Sequence, residues 1–212
     1  MTIQFADIAR ATAADGEISA PHLLALRQLE WDAGRIGRNE AREILALNRT
    51  LSRPSGEWTD FFVETLSAHL LDSSDPHDRC SEEAARWLTG ALDALGGLAT
   101  MAELELLVRI IERTERVPET LRCYALAAIE TAVLTGTGPT RVGGRRGAPR
   151  ITGAECRLVR RILFADQGQV HAGPPAEEFL SRIDGATRGG DNSPEWRALL
   201  DAPGGVSPST SC

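Results

Sequence analysis

Ser55-Gly56-Glu57-Trp58-Thr59-Asp60-Phe61-Phe62-Val63-Glu64-Thr65-Leu66-Ser67-Ala68-His69 decides the fold class of this chain. Trp58, Phe61, Phe62, Thr65, Leu66 and His69 stand at i, i+3, i+4, i+7, i+8 and i+11, the stripe of an amphipathic helix. Leu104, Leu107, Val108 and Ile111 repeat that spacing, and so do Leu121, Tyr124, Ala125, Ala128, Ile129, Ala132 and Val133 behind Pro118. Aromatic residues make up only 5% of the chain and hydrophobic residues 42%, so the core must be Leu, Ile, Val and Ala, which favours helix packing over a sandwich. Working outward predicts an all-α protein of about ten helices, at roughly 5–13, 20–31, 38–50, 56–71, 82–95, 101–115, 119–134, 153–164, 174–184 and 194–201.

The helices follow a degenerate internal repeat of a helix–Gly loop–helix unit. The first copy runs from Ile18-Ser19-Ala20-Pro21-His22 through Asp32-Ala33-Gly34-Arg35-Ile36 and Glu40-Ala41-Arg42-Glu43-Ile44-Leu45 to the Glu57-Trp58 helix. The last runs from Ile151-Thr152-Gly153-Ala154-Glu155 through Asp166-Gln167-Gly168-Gln169-Val170 and Pro175-Ala176-Glu177-Glu178-Phe179-Leu180 to Glu195-Trp196. A middle copy from Thr100-Met101-Ala102-Glu103 matches Thr152 onward at a constant offset of 52 and has Arg116-Val117-Pro118 in place of the glycine loop. Ser19, Thr100 and Thr152 read as N-caps, Glu103 and Glu155 complete capping boxes, and Ser55 and Ser193 cap the tryptophan helices. Gly34 and Gly168 mark sharp turns, with Ile36 and Val170 paired in a bridge or plugged onto the core. Residues 1–135 are expected to form an N-terminal helical domain of two copies. An Arg/Gly-rich linker follows at 136–150, then a truncated third copy at 151–202 packed on the first, then a flexible tail at 203–212.

The net charge of -7 argues against general nucleic-acid binding, which needs a basic face. Met1-Thr2-Ile3-Gln4-Phe5 lacks the basic start of a leader, and no apolar run reaches the ~18 residues of a membrane span, so a cytoplasmic protein is expected. Cys80, Cys123, Cys156 and Cys212 are scattered without metal-ligand spacing and read as reduced thiols, Cys123 and Cys156 in or near the core. There is no GxSxG, no HExxH and no lysine for a P-loop: all 23 basic residues are Arg. The Asp-Gly-x-Ile strings invite an EF-hand reading, but centring a calcium loop on Gly16 puts Ala11, Ala13, Asp15 and His22 at ligand positions, and Gly34 and Gly168 do no better. These loops read as turns, with a weak cation site around Asp15 and Glu17 as the alternative. Asp72, Asp75, His77, Asp78 and Cys80 are metal-capable types in a loop without converging spacing, and His69 reads as a core-edge histidine.

Ala14-Asp15-Gly16-Glu17-Ile18-Ser19, Gly34-Arg35-Ile36 and Glu40-Ala41-Arg42-Glu43-Ile44-Leu45 resemble tellurite-resistance TerB-like helical domains over about a third of the chain. The Glu-Trp helix and Leu134-Thr135-Gly136-Thr137-Gly138-Pro139-Thr140-Arg141 resemble a group of uncharacterised alphaproteobacterial proteins over most of it, a likeness that carries no function. The TerB likeness implies an acidic surface binding a divalent cation, here through Asp15, Glu17, Asp32 and Glu40, and a role in stress response. The one electrostatic anomaly is Arg141, Arg145, Arg146, Arg150, Arg157, Arg160 and Arg161 against a single acid, Glu155. Arg141, Arg145, Arg146 and Arg150 are the candidates for gripping an anion, a membrane surface or an acidic partner, unless the run is a solvated linker whose helical arginines pair with acids elsewhere. The expected function is that of a non-enzymatic helical interaction or scaffold protein, with no cofactor and a protein partner; the alternative is a TerB-like divalent-cation-binding module.

Overall fold

A computed structural model of the chain describes residues 7–8, 11–12, 15–33, 36–72, 79–141, 147–165 and 174–201. The regular structure among the described residues is helical, without a strand. The helices are α1 (Ala20–Ala33), α2 (Arg38–Thr50), α3 (Gly56–Asp72), α4 (Glu82–Ala94), α5 (Met101–Arg113), α6 (Glu119–Thr135), α7 (Gly153–Leu163), α8 (Pro174–Ala186) and α9 (Pro194–Leu200), with a 3-10 turn at Pro139–Arg141. Of the helix expected at 5–13, Asp7, Ile8, Ala11 and Thr12 are helical and described, with Ile8 buried.

Six of the helices begin where a side chain takes up a free N–H group. Ser19, Ser55 and Ser81 accept from His22, Trp58 and Ala84, three residues on. Ser193 accepts from Glu195 with Pro194 in the first turn, and Thr100 and Thr152 sit in full capping boxes with Glu103 and Glu155. Helix α6 opens after Pro118 and ends on Gly136, whose φ of 70° is the left-handed conformation a side chain resists.

Helix α5 is the centre of the packing. Leu104, Leu106, Leu107, Val108, Ile110 and Ile111 are all fully buried, each contributing about 1.5–3 kcal/mol. Its apolar surface covers more than half of its circumference, so α3 packs along it while α6 and α7 pack elsewhere on it. Trp58 fills the α3 side, its ring centroid 5.7 Å from that of Phe61 and 6.1 Å from that of Phe62.

The C-terminal segment was expected against the first copy, but its principal contacts are with α5 and α6. Arg161 on α7 bonds Glu105 and Glu112 of α5, and Arg182 on α8 bonds Glu130 of α6 at 2.7 and 3.0 Å. Part of the expected linker also belongs to the packed body. Pro139 is buried, and a Cβ on Gly190 would stand 2.7 Å from the Pro149 carbonyl oxygen. Gly34, Gly168 and Val170, residues 142–146 and the 203–212 tail lie outside the described residues.

The two matched tryptophans differ in their polar end. Trp58 Nε1 donates to Asn48 Oδ1 at 3.0 Å, whereas buried Trp196 Nε1 has no partner among the described residues. Trp58→Phe should therefore cost about 1–3 kcal/mol more than Trp196→Phe, because it strands a buried amide oxygen; denaturant unfolding of both variants measures the difference.

Candidate functional site

Two glutamates are completely buried, and each stands at the third position of a helix. Glu155 Oε1 accepts from Thr140 Oγ1 at 2.7 Å and Arg141 Nε at 2.8 Å. Its Oε2 accepts from Arg141 Nη2 at 2.8 Å, Thr152 Oγ1 at 2.7 Å and the Thr152 N–H at 2.9 Å. Glu103 is held in the same way. Its Oε1 accepts from Arg49 Nε and from Asn48 Nδ2 at 3.3 Å, and its Oε2 from the N–H groups of Ala99 and Thr100 at 3.0 and 3.1 Å. In both places Nη2 of the arginine also donates to a backbone carbonyl of the incoming chain, Gly97 for Arg49 and Arg150 for Arg141.

These are the constellations that most resemble catalytic machinery, since a buried carboxylate beside a guanidinium and a hydroxyl is a common general-base arrangement. Here every carboxylate oxygen already accepts two or three hydrogen bonds from the protein, so none is presented to a ligand. The capping boxes were legible in the sequence. The arginines were not, because Arg49 lies 54 residues before its glutamate and nothing local names it. A capping glutamate flanked by buried residues such as Ala102 and Leu104 is the one signal that a cation must come from elsewhere.

Of the expected cation ligands, Asp15 and Glu17 lie apart from Glu40. Asp15 and Glu17 are exposed on either side of Gly16, whose carbonyl accepts from Ser52 N–H at 2.9 Å beyond the C-terminal end of α2. Glu40 is in the first turn of α2, capping the Gly37 N–H at 3.1 Å. Ten residues of helix separate Glu40 from Thr50, about 15 Å. Asp32 is in the last turn of α1, and its side chain falls outside the described set. Among the described residues no three His, Cys, Asp or Glu side chains group as metal ligands. Of the loop cluster, Asp75, His77 and Asp78 lie outside the described residues, while Cys80 is buried and its thiol pushed up to about 11 by desolvation.

The arginine run divides. Arg141 points inward onto Glu155 with its side chain only 14% exposed, Arg150 is exposed, and Arg145 and Arg146 lie outside the described residues. Arg141 and Arg150 also border a recess of about 280 Å³ with Val133, Gly136 and Asp191. On α7, Arg157 pairs with Glu195 at 3.2 Å, Arg161 clamps Glu105 and Glu112, and Arg160 stacks 5.8 Å over the Phe164 ring. Arg157, Arg160, Arg161, Phe164, Ala165 and Glu112 line an open groove of about 550 Å³. No helix among the described residues is long and apolar enough to cross a membrane.

His69 is a half-buried core-edge residue: its Nδ1–H donates to the Ile36 carbonyl at 2.9 Å and its ring meets Trp87 edge-on at 5.7 Å. Burial holds its pKa below 6.5, against the Ile36 bond, with Arg38 lowering it and Glu40 raising it. As pH falls through about 6.5 the unfolded chain therefore takes up a proton first, and stability drops down to the folded pKa. His69→Gln should remove that component, so the gap in Tm between wild type and variant changes across this window; a constant gap would refute it. Separately, Glu155→Ala leaves the Arg141 guanidinium in a closed site without its counter-charge and should cost about 3–5 kcal/mol in denaturant unfolding, against less than about 1 kcal/mol for the exposed Arg157–Glu195 pair.

No protein-family model, curated protein or solved structure matches this chain.

Proposed function

We propose that this protein is a non-catalytic helical interaction protein that works through protein–protein contacts. The observation that carries this reading is the saturation of its buried carboxylates. Glu103 and Glu155 have the burial and cationic neighbours of catalytic groups, yet their oxygens are committed to locking one helix end against another chain segment. Buried charge used in this way makes a rigid body, and a rigid body presents its exposed side chains with little ordering cost on binding. The net charge of -7 supports a protein partner over nucleic acid.

The test uses the tagged full-length chain as bait in lysate of its native cells. The expected result is a protein enriched over a tag-only control that co-elutes with the bait as a complex on size exclusion. A bait that enriches nothing and elutes alone would overturn the reading. The cation-binding alternative makes its own demand, because a bound ion must raise Tm by mass action. With Gly16 tied to Ser52 beyond the far end of α2 and Glu40 in its first turn, millimolar calcium or manganese should leave Tm unchanged. A rise that disappears in the Asp15→Ala, Glu17→Ala variant would reinstate that alternative.

A further inference from the structure

No further inference is drawn: the strongest candidate, the recess of about 280 Å³ bordered by Arg141, Arg150 and Asp191 at the C-terminal end of α6, carries nothing because Glu155 already takes the Arg141 guanidinium, Asp191 offsets the charge of Arg150, and nothing among the described residues shows what would fill it.

Discussion

A carboxylate removed entirely from water costs several kcal/mol unless its charge and all its lone pairs are matched, and this chain does it twice. Glu103 and Glu155 each begin a helix from inside the protein, and much else is placed so that they can. Helix α2 ends where Asn48 and Arg49 reach Glu103, and the 3-10 turn after α6 puts Thr140 and Arg141 onto Glu155. The arginines then tie down the approaching backbone at Gly97 and Arg150. A segment rich in glycine and arginine, which on composition alone reads as a linker, is thus held at both edges by the folded body.

Around those joints the hydrophobic packing is simple. Helix α5 is apolar on more of its circumference than a surface helix needs, and that excess lets it bind α3, α6 and α7 together. Two of the polar positions on α5, Glu105 and Glu112, are two turns apart on one face, and a single arginine from α7 spans them.

The elements were readable because their signals are local. Caps at Ser19, Ser55, Thr100, Thr152 and Ser193 and the 3.6-residue stripes put the helix limits within two residues of those found for α1 to α9. His69 also fell where its apolar neighbours implied. What could not be read was pairing at a distance. Nothing near Arg141 says that it turns inward while Arg160 stays in solvent, since both are arginines in the same basic run. The docking of α7 is beyond local reading for the same reason: Arg161 meets Glu105 and Glu112, both more than 40 residues upstream. The acids around Asp15 and Glu40 share a motif in the sequence and occupy opposite ends of α2 in space.

That both buried glutamates are closed by arginine in a chain without lysine has a consequence for control of the protein in the cell. A lysine in the same place could be neutralised by an acetyl group or by losing its proton on burial. A guanidinium keeps its charge across the whole physiological range, so neither route opens the Arg49–Glu103 or Arg141–Glu155 contact. Acyl-transfer and ubiquitin-conjugating enzymes that require a lysine find no side chain to modify anywhere along the sequence, and regulation has to act on the exposed surface and on what binds there.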